Sequence, residues 1–338
     1  MPSNKITVVS SSGIDTTLIE QQLQGIDYDM EVHVCKSDGE TIEAIKGADL
    51  IISTGVAMPR SVIDEIDQAQ AIVNFGHGFD RIDADAATDK SVMVVNTAGF
   101  CTEEVSNHAI MLLLACAKKL TILNDVVKTG MWDGSTKSTI SSLGTINGQV
   151  LGLVGLGNIA RATSRKAKVF GLEVIAYDPY VQPWIAREYS VRLVHDLKEL
   201  AQNSDYVSVH VPLNQETRKL LGRSFFKAMK ETAFIVNTCR GGTIDESALV
   251  EALQNKELAG AGLDVFEVEP TPSDNPLLSM GNVIVTPHSA GTSAASRVAA
   301  PIQVGQESAR ILEGSSPMAL ANPEVMSHLP IREPSTNF

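Results

Sequence analysis

Residues Gln149 to Ala160 read QVLGLVGLGNIA, an apolar run that breaks into glycines where a strand should hand over to a helix. This stretch decides the fold. Val150 to Val154 reads as a buried strand and Ile159 to Phe170 as a helix, with the glycines between them. Gly155 would make the tight turn, Gly157 would let backbone N–H groups approach a pyrophosphate, and the small Ala160 would let helix pack on strand. The helix N-terminus adds the positive end of its dipole. A second strand, Glu173 to Tyr177, ends at Asp178, roughly twenty residues past the glycines, where an adenosine ribose would present its 2′ hydroxyl. A carboxylate there accepts hydrogen bonds from a ribose diol and repels a 2′ phosphate, so NAD is favoured over NADP.

The motif begins near the middle of the chain, so a separate unit must precede it. Strand-like runs at Ile6 to Ser10, Glu31 to Cys35, Leu50 to Ser53, Ala71 to Phe75 and Val92 to Asn96 alternate with helical patterns such as Gly39 to Ala48 and Ser61 to Gln68. That alternation predicts a small parallel α/β unit. One long helix is expected from Thr102 to Gly130, with Thr102 as N-cap, Glu103 and Glu104 in the first turn, and an apolar face wide enough for burial between domains or subunits. After the glycines, strands are expected at Arg192 to Val194, Tyr206 to Val211, Ala233 to Asn237, Gly260 to Asp264 and Val283 to Thr286. Helical stretches separate several of them, which completes a doubly wound sheet. A last helix, Ser293 to Leu312, is expected to return to the first domain. The expected division is 1–100 plus 293–338 as a discontinuous domain and 101–292 as the nucleotide-binding one.

A chain of 338 residues, 43% hydrophobic and 20% charged, fits two ordinary globular domains. The longest apolar stretch, around Ala109 to Ala117, is too short to span a bilayer, and MPSNKITVVS has no export-signal pattern. A cytoplasmic protein is expected. Cys35, Cys101, Cys116 and Cys239 have no paired or metal-ligand spacing, so they read as reduced thiols, with neither disulfides nor a metal site. A formal charge of −13 disfavours nucleic acid and acidic membranes as partners. An anionic substrate would therefore need a local cationic site.

Three late strands each lead into a reactive polar residue: NTCRGG gives Arg240, LDVFEVEP gives Asp264 and Glu269, and VTPHSAG gives His288. Ligands of an open α/β sheet bind at the carboxyl ends of its strands, so these residues should converge on one crevice. They suit carbonyl reduction, in which hydride reaches a carbonyl carbon and a proton reaches its oxygen. Histidine titrates near working pH, which makes His288 the proton donor. Glu269 can orient the imidazole and stabilise its protonated form. Arg240 can hold a substrate carboxylate and polarise the developing alkoxide.

From about Asn74 to Gly291 the chain resembles the D-isomer-specific 2-hydroxyacid dehydrogenases, through NFGHGFDRID, NTAGF, GLGNIA, HVPLNQETRKLL, NTCRGGTIDESALVEAL, GAGLDVFEVEP and VTPHSAG. The resemblance implies an α/β fold of two Rossmann-like doubly wound parallel-sheet domains with the active-site cleft between them. It implies that Arg240 binds a 2-oxo acid, that Glu269 and His288 form the acid/base pair, and that Asp264 orients the nicotinamide carboxamide. Further NAD contacts are implied for Gly155, Gly157, Asn158 and Ile159 in the glycine turn, and for Asp178 and Pro179 after the second strand. Others are implied for His210, Val211, Pro212 and Thr217, and for Thr238, Cys239 and Gly291. Substrate would meet Gly76, His77 and Gly78, with the backbone N–H groups of His77 and Gly78 facing its carboxylate, together with Arg240 and His288. A homodimer through the nucleotide domain is also implied.

His77 stands in GHG where many relatives carry a small aliphatic residue, and Asn107 stands where they place an acid. Two alternatives differ in chemistry. Formate or phosphite enzymes of the superfamily carry glutamine at the place of Glu269 or lysine near His77, and this chain has neither. An NAD(H)-sensing corepressor-like scaffold would keep the same three residues but usually adds a long disordered tail, whereas only a short turn-rich segment follows the last helix here.

Overall fold

The computed structural model describes residues 3–329. The chain divides into two compact units, one running to Cys101 and resuming at Ser293, the other spanning Thr102–Thr292. The first unit alternates β1 (Asn4–Ser10), α1 (Thr17–Glu20), β2 (Tyr28–Val34), α2 (Asp38–Ile45) and β3 (Leu50–Thr54). It continues with α3 (Arg60–Ile63), β4 (Ala71–Asn74), α4 (Ala84–Asp89) and β5 (Met93–Asn96). The strands form one parallel sheet in the order β2-β1-β3-β4-β5. Side chains alternate across it. Val9, Ile51, Ile72 and Val94 belong to one apolar core, and Val8, Leu50, Ile52, Val73 and Val95 to another. Burial on both faces is why β3, β4 and β5 read as apolar runs, while the edge strand β2 buries no residue.

The second unit opens with α5 (Thr102–Ala117), α6 (Leu120–Lys128) and α7 (Lys137–Ser141). Then come β6 (Val150–Val154), α8 (Asn158–Val169), β7 (Glu173–Tyr177), α9 (Pro183–Glu188), β8 (Arg192–Leu193) and α10 (Leu197–Asn203). It ends with β9 (Tyr206–Val209), α11 (Arg223–Ala228), β10 (Phe234–Asn237), α12 (Glu246–Gln254), β11 (Gly260–Leu263) and β12 (Val283–Val285). All its strands run parallel, in the order β12-β11-β10-β9-β6-β7-β8. The winding reverses beside β6, and such a switch point opens the crevice in which α/β sheets take ligands. The chain then re-enters the first unit as α13 (Ala294–Leu312). Ser293 starts that helix with a reciprocal cap: its Oγ accepts from Ser296 N, while Ser296 Oγ accepts from Ser293 N.

Two helices differ from expectation. The segment expected as one helix from Thr102 to Gly130 ends first at Ala117, and Lys119 adopts a left-handed backbone at φ 51° before α6 begins. The apolar face of α5 is buried, whereas α6 buries no residue, so the two have different surroundings. The helix expected over Ser61 to Gln68 stops at Ile63. Single-turn hydrogen bonds from Glu65 to Val62 and from Ile66 to Ile63 replace it.

Candidate active site

In the second unit the chemistry-bearing residues line up along one edge of the sheet. Asp178 follows β7, Gly155 follows β6, His210 follows β9, Thr238 to Arg240 follow β10, Asp264 follows β11, and His288 lies three residues past β12. Six neighbouring strands at ~4.8 Å spacing make a row of roughly 24 Å. Residues distant in sequence are thus ordered by strand position.

The glycine turn has the geometry its residues predict. Gly155 takes φ +89°, and a Cβ there would lie 2.6 Å from His210 O, so neither the backbone angle nor the space admits a side chain. Gly157 caps α8, and a Cβ on it would meet nothing within 4 Å, which leaves the N-terminus of α8 open to an approaching group. Asn158 opens α8 and accepts from the Arg161 guanidinium; Ile159 follows it in the helix. Asp178 is drawn into this turn. Its Oδ2 accepts from Leu156 N at 2.7 Å, and its Oδ1 accepts from Tyr180 N and Val181 N, each at 2.9 Å. The same carboxylate expected to meet a ribose therefore also holds the glycine turn in place.

The next loop carries Val211, Pro212 and Thr217, and Thr217 Oγ1 closes it by donating to Pro212 O at 2.6 Å. Burial pushes His210 down to about 4, and its Nε2 lies 2.9 Å from Ser208 Oγ. A ring kept neutral at working pH is a poor proton donor. Cys239 is held by Asn237, which accepts from both its N–H and its thiol at 3.0 Å. Burial raises this thiol, so it is not a ready nucleophile. Thr238 Oγ1 is buried with no hydrogen-bond partner among the described residues. An orphaned hydroxyl costs about 1–3 kcal/mol, and its place in the row fits a polar group of a bound dinucleotide.

Arg240 sits where backbone meets backbone. Its carbonyl accepts from Asn237 Nδ2 at 3.0 Å and Thr243 Oγ1 at 2.7 Å, and its Nη1 donates to Cys239 O at 2.7 Å. A Cβ on Gly241 would fall 1.9 Å from Phe266 backbone atoms, so the glycine after Arg240 brings that loop against the one carrying Glu269. Glu269 Oε1 accepts from Phe266 N at 3.0 Å, and its Oε2 lies 2.6 Å from His288 Nδ1. His288 itself adopts φ 50°, an unusual backbone held by its N–H donating to Asp264 O at 2.8 Å. Asp264 is fully buried, and its carboxylate accepts from Thr286 Oγ1 at 2.6 Å and from Ser289 N and Ala290 N at 2.9 Å. Gly291 completes the turn, which Thr292 N closes on Ser289 O at 2.9 Å. Asp264 thus clamps both sides of the segment that carries His288. The hydroxyl and amides of that clamp escaped the sequence reading; the Thr-Pro-His-Ser spacing after β12 was the available signal.

In the first unit, the Gly76, His77 and Gly78 loop follows β4. Asn74 Nδ2 donates to the carbonyls of Gly76 and Gly78, and Asn96 Nδ2 to that of His77 at 2.6 Å. The Gly76 N–H is taken by Thr97 Oγ1 and Asn74 O, both at 2.9 Å. Asn107 is exposed on α5.

The sequence matches the D-isomer-specific 2-hydroxyacid dehydrogenase NAD-binding domain over residues 110–290. It is 34% identical to a glyoxylate reductase of Korarchaeum cryptofilum over 317 residues, 92% of this chain and 95% of that one. It is 38% identical to a D-3-phosphoglycerate dehydrogenase of Methanocaldococcus jannaschii over 287 residues, 85% of this chain but 54% of that protein, so it spans about half the length of that relative. Among solved structures, the NADPH-dependent glyoxylate/hydroxypyruvate reductase of Sinorhizobium meliloti, in complex with NADP and malonate, matches with a TM-score of 0.82 at 27% identity. That match covers 95% of this chain and 97% of that one. With the glycine turn and the strand-edge row both in place, the chain belongs to the D-isomer-specific 2-hydroxyacid dehydrogenases, a family of oxidoreductases whose NAD-binding domain it carries.

Proposed function

We propose that this protein interconverts a 2-oxo acid and a D-2-hydroxy acid of the hydroxypyruvate, glyoxylate or 3-phosphoglycerate type, using NAD(H) in preference to NADP(H). The observation that carries the reading is the 2.6 Å contact of Glu269 Oε2 with His288 Nδ1. With Nδ1 turned to the carboxylate, Nε2 is the nitrogen that exchanges a proton with substrate oxygen. Bound NADH supplies the hydride. Arg240 holds the substrate carboxylate and faces the oxygen as charge builds on it, and the Gly76–Gly78 loop is the first unit's contribution to substrate recognition. Within that loop the reading gives the substrate carboxylate to the backbone N–H groups of His77 and Gly78, and the Gly76 N–H is engaged by Thr97 and Asn74. Homodimer assembly through the nucleotide-binding unit belongs to the same reading, supported by Leu120, Val127, Met131 and Trp132 exposed on α6 and just beyond it. A cytoplasmic location belongs to the same reading, supported by four cysteines that form no disulfide.

Turnover of NADH and NADPH with a panel of 2-oxo acids tests this directly. Three backbone N–H groups already fix the Asp178 carboxylate, leaving it about one acceptor site for a ribose hydroxyl and none that welcomes a phosphate. The Tyr180 hydroxyl beside it donates to Glu216, a second carboxylate. NADH should therefore bind at least about ten-fold more tightly than NADPH. Equal affinities would remove the NAD assignment, and absence of turnover with every 2-oxo acid would remove the activity.

Glu269→Gln tests the pair itself. Glutamine keeps an acceptor for Nδ1 but takes away the negative charge that favours imidazolium. Reduction should persist, with its pH–rate profile moved toward acid. An unmoved profile would mean that the two side chains are not coupled.

A further inference from the structure

A nearly buried histidine outside the row bears on Asp264. His108 on α5 places Nε2 2.9 Å from Thr286 Oγ1 and 3.5 Å from Asp264 Oδ1, with 14% of its side chain exposed. The sequence explains how it gets there. Gly262 on β11 has no side chain, and a Cβ would lie 3.0 Å from Leu112 Cβ and 3.4 Å from Cys116 Sγ. The bare glycine lets α5 lie directly on the strand. His108 stands one helical turn before Leu112 on the same face, and Asp264 stands two residues past Gly262 on the same side of the strand.

Hydrogen counting sets the direction of the bonds. A threonine hydroxyl has one hydrogen, and at 2.6 Å Thr286 donates it to the Asp264 carboxylate. Its oxygen must then accept from His108, so Nε2 carries the ring hydrogen. The chain runs from His108 Nε2–H to Thr286 O–H to Asp264 Oδ1. The same oxygen accepts from Ser289 N and the other from Ala290 N, so Thr286, Ser289 and Ala290 around His288 all report to one carboxylate.

We propose that His108 is a positioning residue for the nicotinamide half of the cofactor site. Through Thr286 it fixes the orientation of Asp264 and the 286–290 turn. With the imidazole gone, the Thr286 hydroxyl is held at one end only, and the carboxylate loses the donor that polarises its partner. The proposal rests on the reading of Asp264 as the group that meets the nicotinamide.

Binding titrations of the full chain test it, using NADH and, separately, ADP-ribose, which keeps the adenosine and both phosphates but lacks nicotinamide. His108→Leu should weaken NADH about ten-fold, the order of one hydrogen bond, and leave ADP-ribose unchanged. His108→Gln places an amide N–H near the former Nε2 and should recover most of the loss. Thr286→Val added to His108→Leu should add little, because the two act as one unit. The proposal falls if His108→Leu binds NADH like the parent, if NADH and ADP-ribose weaken equally, or if glutamine is no better than leucine. Failure of the parent itself to bind NADH would strike the cofactor reading first, and this proposal with it.

Discussion

His288→Asn should lower the rate of 2-oxo acid reduction by about 10² to 10⁴, the usual contribution of a positioned proton donor, while NADH binding stays near that of the parent. Asparagine is the informative replacement for two reasons. Its side-chain amide nitrogen falls close to the place of Nδ1, so the contact with Glu269 Oε2 can be kept, and asparagine tolerates the left-handed backbone that this position adopts at φ 50°. What is lost is the proton at Nε2. The binding site should survive because its clamp is made by neighbours: His288 contributes only its backbone N–H to Asp264 O, at 2.8 Å, and the Asp264 carboxylate is held by Thr286, Ser289 and Ala290. Steady-state kinetics beside a fluorescence titration separate the two effects. A loss of less than ten-fold in rate would mean that the proton comes from elsewhere, and His210, half-buried and held neutral, is poorly suited to supply it.

The glycine turn was legible because its chemistry is local. Val150–Val154, Gly155, the start of α8 and Asp178 each announce themselves through apolar runs, missing side chains and a spacing, and the β6 and β7 bounds coincide with the reading. The strand ends that carry Arg240, Asp264 and His288 were legible for the same reason, as apolar runs that stop at polar residues. Relations set by tertiary approach were less visible. The break at Lys119 depends on where burial of the helix ends, and a single amphipathic pattern runs through Lys118 and Lys119 without marking it. On α5 the sequence drew attention to Asn107, which is exposed, while its neighbour His108 turns inward. The clue to His108 lay in another element, in Gly262 of β11, since only a residue without a side chain admits α5 so close there. The second duty of Asp178, holding Leu156 N, was equally hidden, because a ribose ligand accounts for an acid there without it.

Arg240 should act on both binding and chemistry, and its variants should show both. The guanidinium is presented by a backbone with little freedom: the Arg240 carbonyl is held by Asn237 and Thr243, Gly241 has no room for a side chain, and Nη1 donates to Cys239 O at 2.7 Å. A planar fork fixed in this way can grip a carboxylate in the ground state and bind the carbonyl oxygen more strongly as negative charge develops. Lysine keeps the charge but not the fork, so Arg240→Lys should raise KM for 2-oxo acids and lower kcat together. Arg240→Ala loses both. One charge-assisted hydrogen bond is worth about 1.5–3 kcal/mol, roughly ten- to a hundred-fold in KM, and a lost oxyanion contact costs about 10² to 10³ in kcat. Together they place the fall in kcat/KM at about 10³ or more. NADH affinity should change little, which separates substrate recognition from a collapse of the cofactor row. If Arg240→Ala kept near-normal kcat/KM for every 2-oxo acid that the parent reduces, the substrate carboxylate would have to be bound by other groups. The row of strand ends would then serve the cofactor alone.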